Sequence, residues 1–171
     1  MHSIRKIMTA ASAAALFVSS FVSAPALATP GANVGVSGVI NGQFGTIHEN
    51  TPGEKTDKWG LILKTLSDTD IGADQVTLNG GGYTGWHNHP APVFVTVKTG
   101  AVTWYDGSAG ICSGHTYQAG QSFIEPAFHV HNAVNPSASE PAVFIAVRLN
   151  PTGTSGPQFR VDQPEPNNCR F

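Results

Sequence analysis

Charged side chains are scarce in this sequence. Lysine, arginine, aspartate and glutamate together make up 12% of its 171 residues, about half the share of an average globular protein. The nine basic residues include no cluster beyond the pair Arg5-Lys6. A nucleic acid or an anionic membrane surface would therefore find no electrostatic footprint. Long runs of helix formers are also missing, and the apolar run from Met8 to Val22 is too short to span a bilayer. Cysteine is confined to Cys112 and Cys169. Neither lies in a C-x-x-C or beside a histidine motif, so a disulfide between them is expected rather than a metal or catalytic thiol.

The N-terminus carries the marks of a leader. Arg5 and Lys6 precede the small-residue apolar run, and Ala26-Leu27-Ala28 supplies an A-x-A cleavage pattern. We expect a Sec-type signal peptide over residues 1–28, a mature chain from Thr29 and a secreted protein with no membrane association. Without Arg5 and Lys6, seven basic residues face eleven acidic ones, a net charge of −4. Export also suits the disulfide, which would tie the C-terminus to a central loop.

What is plentiful is turn chemistry, with 19 glycines and 12 prolines. Short alternating segments lie between these breakers. Residues 29–50 read as one or two edge strands, Trp59 to Leu66 as a strand, and Asp74 to Leu78 as a short strand ended by Asn79-Gly80-Gly81-Gly82. Val93 to Lys98 and Ala101 to Tyr105 read as a hairpin, followed by a loop around Cys112. Ser122 to Glu125 and His129 to Val134 are further strands. Val143, Ile145, Val147 and Leu149 share one face of another. Evenly spaced strands with no helical period predict one all-β sandwich or barrel over residues 29–150. The Pro- and Gly-rich residues 151–171 are expected to lie extended on it.

Four of the seven histidines form two H-x-H pairs, His87-Asn88-His89 and His129-Val130-His131. On a strand, residues i and i+2 face the same way, so each pair presents two imidazoles side by side. Neighbouring strands would bring both pairs onto one divalent ion.

The spacing around these pairs resembles the cupin superfamily. Gly81 followed by five residues, His87-x-His89 and the later Gly100 follow its first motif; Gly120, Pro126, His131 and Asn135 follow its second. The resemblance implies a single-domain jelly-roll barrel, a double-stranded β-helix, with His87, His89 and His131 as metal ligands. It leaves His129 as an acid–base group, a group supporting the ligands, or a fourth ligand. Two positions depart from the family. Val93 stands where it has a glutamate ligand, and Phe128 where it has a glycine. Glu125 is open as a replacement carboxylate, although its place before Pro126 puts it at the barrel rim.

Three neutral imidazoles leave the ion's charge uncompensated, so it should be a strong Lewis acid with open positions for a small substrate. Iron, manganese, nickel, copper and zinc all accept such ligands. The readings are a secreted metal-dependent dioxygenase or related oxidoreductase acting on a small chelating substrate, or a non-catalytic module binding metal or a small molecule. The family resemblance also makes a homodimer plausible.

Overall fold

The computed structural model describes residues 31–50, 62–108, 110–154 and 159–169. The expected leader lies outside them. Among the described residues every element is a strand, and every pairing is antiparallel.

Three long strands form the middle of the molecule. β1 (Ala32–Gly45) and β11 (Ala142–Pro151) flank β4 (Thr69–Tyr83), and β11 matches it from Ala142↔Leu78 to Pro151↔Thr69. The Asn79-Gly-Gly-Gly run does not end β4, which continues to Tyr83. Ladder hydrogen bonds from its neighbours outweigh the poor strand propensity of glycine.

β6 (Val93–Thr99) lies beside β11 and β9 (Ser122–Glu125), whereas β7 (Ala101–Asp106) lies between β10 (His131–Val134) and β8 (Ser113–Gln118). β6 and β7 therefore do not form the expected hairpin. At Gly100 (φ 71°) the chain leaves one side of the barrel for the other, and a Cβ there would meet the Ala142 backbone at 3.0 Å. Only glycine allows this close turn. The hairpin is β7–β8 instead, and part of the segment read as a loop after Cys112 is strand β8.

Ten strands form one sheet that runs β12-β5-β10-β4-β11-β6-β9, with β1 added at β4 and β7–β8 at β10. Here β5 is His87–Asn88 and β12 is Val161–Asp162. A separate ribbon joins β2 (His48–Asn50) to β3 (Ile62–Lys64), the described part of the segment read as a strand from Trp59. The sheet curls into an all-β jelly-roll barrel.

Val93, Val95 and Val97 of β6 point inward and are almost fully buried, with Leu78, Val102, Phe123 and Phe144 around them. On β11 the face shared by Val143, Ile145, Val147 and Leu149 is the half-buried outer one. Ala142 and Phe144 take the inside, and Ala146 borders a cavity.

The C-terminal segment closes over one end of the barrel. β12 pairs with β5, Gln163 N–H donates to the Trp86 carbonyl, and Cys169 is joined to Cys112 as expected.

Candidate metal centre

Two strand ends bring three histidines together inside the barrel. β5 delivers His87 and, one residue beyond its end, His89; β10 begins at His131, which pairs with His87 across the ladder. Their relative exposures are 4%, 6% and 0%. One ring nitrogen from each lies within 4.8 Å of the others.

Each ring is oriented by a backbone carbonyl. His87 Nδ1 bonds to the Gly85 carbonyl at 2.7 Å, His89 Nδ1 to that of Phe159 at 3.1 Å, and His131 Nδ1 to that of His129 at 2.8 Å. A carbonyl can only accept, so all three Nδ1 atoms carry their protons. The Nε2 lone pairs of the neutral rings are then left for a shared centre. A hydrogen bond of this kind is how proteins set the tautomer of a metal-binding imidazole. The Phe159 ring also stacks on His89, with centroids 4.7 Å apart.

Glu125 is not at the rim. It is 5% exposed, and its Oε2 lies 3.4 Å from His89 Nε2 and 3.5 Å from His131 Nε2. Strand register explains this placement. Phe123 and Glu125 are the inward residues of β9, and Glu125 stands directly opposite Val93 on β6. Cross-strand partners share a face, so a carboxylate on either strand reaches the same space. The family's glutamate position is apolar here, and the neighbouring strand fills the gap.

The charges respond to this geometry. Burial would push the Glu125 carboxyl up, but the charges and contacts of His131 and His89 outweigh it and hold the group well below the usual carboxylate range. Burial pulls His131 down, while the charge and contact of Glu125 and the His129 carbonyl reverse the direction and raise it. His87 is held well below the imidazole range by burial and by the nearby charges of His131, Arg160 and His89.

A divalent ion fits these residues. His131 Nε2 is a fully buried polar atom with no hydrogen-bond partner, and such atoms are rare unless they have a function. Three imidazoles and a carboxylate suit iron, manganese, nickel, copper or zinc better than calcium or magnesium.

His129 is placed differently. Only its backbone carbonyl touches the site, through His131; its half-exposed ring contacts Asp106 Oδ2 at 3.2 Å. The H-x-H parity argument does not hold for this pair, because His129 precedes β10 and follows Phe128, whose φ is 64°. Phe128 thus adopts the left-handed conformation that explains a glycine at this position of the family motif. Its N–H bonds to the His89 carbonyl at 2.7 Å, linking the two histidine loops. Asn135 Nδ2 faces the carbonyls of Leu78, Asn79 and Glu140, a structural role.

A cavity of about 300 Å³ opens beside the centre and is bordered by His87, His89 and Glu125. Most of its wall is apolar, including Val76, Val93 and Phe144. The C-terminal segment adds Phe159, Arg160 and Asp162. Sequence reasoning did not single out these three, because no motif marks a tail that folds back on a site.

Residues 74–148 match the family model for the cupin domain. No curated protein gives a significant match. Among solved structures, an oxalate decarboxylase from Lactobacillus farciminis is 26% identical, with 54% of this chain and 26% of that one covered at a TM-score of 0.45. A sugar phosphate isomerase of the cupin superfamily from Silicibacter pomeroyi is 27% identical, covering 47% and 50% at 0.41. A cupin-like protein from Thermotoga maritima is 20% identical, covering 46% and 56% at 0.41. The matches thus span 26% to 56% of those proteins' own lengths.

Proposed function

From the match of residues 74–148 to the cupin domain we propose that the chain is an exported metal-binding protein serving a dioxygenase or related oxidoreductase reaction. Its substrate would be a small molecule that chelates the ion from the apolar cavity. The observation that carries this reading is the set of three buried imidazoles, each with Nδ1 committed to a carbonyl, converging beside the Glu125 carboxylate.

His87, His89 and His131 would hold the ion through Nε2, with Glu125 as counter-charge and fourth donor. When bound, the ion supplies Lewis acidity and, for a redox-active metal, one-electron chemistry. Val76, Val93, Phe144 and Phe159 keep water from the substrate's side of the centre and orient its apolar part. Asp74 is paired with Arg148 at 2.8 Å and Asp162 with Arg160 at 2.9 Å. Among the described residues bordering the cavity, Glu125 and the histidines are therefore left to hold or move protons. Export is supported by the disulfide, which suits an oxidising compartment.

The same shortage of unpaired acid–base groups favours a second reading, a non-catalytic module that binds metal or a small molecule. The test uses protein purified without a histidine tag and reconstituted with iron, manganese, nickel, copper or zinc. Stoichiometric metal by mass spectrometry, lost in His131→Ala and kept in His129→Ala, is expected. Oxygen uptake on adding catechols, flavonols or thiols supports the oxidoreductase, whereas tight zinc without turnover supports the module. Failure to retain any of these metals would overturn both metal readings.

A further inference from the structure

The cavity places a cation beside a metal centre. Arg160 borders the cavity that His87, His89 and Glu125 also border. Its Nη2 donates to the Thr84 carbonyl at 2.7 Å and lies 2.9 Å from Asp162 Oδ1. These contacts fix the guanidinium in place. They are reinforced from the C-terminal side, since β12 follows Arg160 directly and pairs Val161 with Asn88 and Asp162 with His87.

A guanidinium and a divalent ion repel one another, and a half-buried site strengthens the repulsion. The arrangement is favourable when an anion lies between them. Around the cavity, the ion's two charges and Arg160 exceed Glu125 and Asp162 by a single positive charge. Asp74 adds nothing to this balance because Arg148 holds it from Nε at 2.8 Å and Nη2 at 3.1 Å. One negative charge on the occupant would therefore neutralise the site.

The rest of the wall limits the occupant's body. Val76, Val93, Phe144, Ala146 and Phe159 offer no hydrogen-bonding side chain, and about 300 Å³ lies at the small end of ligand pockets. A sugar would leave its hydroxyls unpaired against this wall, at a cost for each one. A single ring or a short chain fits it.

We propose that Arg160 is the selectivity-determining residue of this site, recognising the carboxylate of a small monoanion whose apolar body fills the cavity. The proposal rests on the metal-centre reading for the full charge balance. The Arg160 wall itself is part of the protein with or without an ion. Guanidinium is suited to the role, because it stays charged and its N–H groups form charge-assisted hydrogen bonds to carboxylate oxygens. With Nη2 committed to Thr84 and Asp162, the ligand is assigned a single charged hydrogen bond from Nη1.

The test is calorimetric titration of the full chain with benzoate, benzyl alcohol and oxalate, in zinc-loaded and metal-free forms. Zinc-loaded, benzoate should bind at least tenfold tighter than benzyl alcohol. Metal-free, where Glu125 and Asp162 outnumber Arg160, benzoate should bind more weakly but still depend on Arg160. Oxalate should gain nothing from the apolar wall in either form. Arg160→Gln should weaken benzoate by about 10- to 100-fold, the range for one charged hydrogen-bonding partner, and leave benzyl alcohol unchanged. Arg160→Lys should recover part of the loss. Asp162→Asn should tighten benzoate several-fold, an effect in the opposite direction that misfolding would not produce. Equal binding of benzoate and benzyl alcohol in the zinc-loaded form, or benzoate affinity unchanged in Arg160→Gln, overturns the proposal. Failure to load zinc, or any of the other four metals, overturns only the metal reading, since the metal-free Arg160→Gln comparison still tests Arg160.

Discussion

Replacing Glu125 by glutamine separates its charge from its shape. The side chain keeps its volume and one carbonyl oxygen, but a buried divalent ion would then face three neutral rings and no negative charge. Glu125 is 5% exposed and lies 3.4 and 3.5 Å from two of the three Nε2 atoms, so water screens it poorly. Breaking a buried charge pair by removing one partner costs about 3–5 kcal/mol. The expected result is a metal Kd weaker by roughly two to four decades, at about 1.4 kcal/mol per decade. Chelator competition would measure it, with metal-free melting curves as a control for folding. Because Val93 and Glu125 are paired across β6 and β9, the exchange Val93→Glu with Glu125→Val should return much of the lost affinity. Unchanged affinity in Glu125→Gln, alongside loss in His131→Ala, would refute a role for this carboxylate. Failure of the exchange to rescue would refute the equivalence of the two strand positions.

Three further outcomes follow from other parts of the structure. Phe128→Gly relieves a left-handed backbone that costs about 1–2 kcal/mol for a residue with a Cβ. It removes a ring that is 68% exposed. Less the extra unfolded-state freedom of glycine, about 0.5–1 kcal/mol, the variant should be more stable by about 0.5–1 kcal/mol and melt a few degrees higher; a lower Tm would contradict this. Replacing both cysteines by serine opens a crosslink between residues 57 apart in sequence, worth roughly 4 kcal/mol in the chain-entropy model. Denaturant unfolding should show that loss, and metal affinity should fall about 10- to 100-fold as the Phe159 carbonyl loosens from His89. Metal loading should also fall as the medium is acidified. His131 is raised above 6.5, so protons displace metal from its Nε2 as pH drops through that raised value, whereas His87, held well below 6.5, stays neutral there. In the metal-free protein Glu125→Gln removes a main cause of the raise, so the His131 proton should be lost at lower pH in an NMR titration.

The sequence made the barrel and the histidines legible for different physical reasons. Strands reveal themselves through local alternation, and β6 alternates cleanly because Val93, Val95 and Val97 meet a packed core while Phe94 and Thr96 do not. Strand partners are less legible. The Thr99-Gly100 turn has hairpin chemistry, but packing around Ala142 sends β7 to the other side of the barrel. β11 misleads in a related way, since its larger aliphatics face outward and smaller Ala146 borders the cavity. His87, His89 and His131 were found through their spacing, a local property that survives any choice of partners.

Glu125 and the C-terminal wall depend on the partners themselves. A carboxylate before a proline has no local mark that says it faces inward; its direction follows only from the β6–β9 register, which sets Glu125 opposite Val93. The contribution of Phe159 is still less visible, because the group that orients His89 is a backbone carbonyl, and every residue has one. The tail's position over the cavity follows from the Cys112–Cys169 crosslink together with the β12–β5 pairing. Reading the disulfide as a staple for stability accounts for the cysteines but omits the intervening residues. The crosslink holds in place the chain that orients a candidate metal ligand and carries Arg160 to the wall of the cavity. A variant that keeps the barrel folded but frees the tail should therefore lose metal affinity and anion selectivity together.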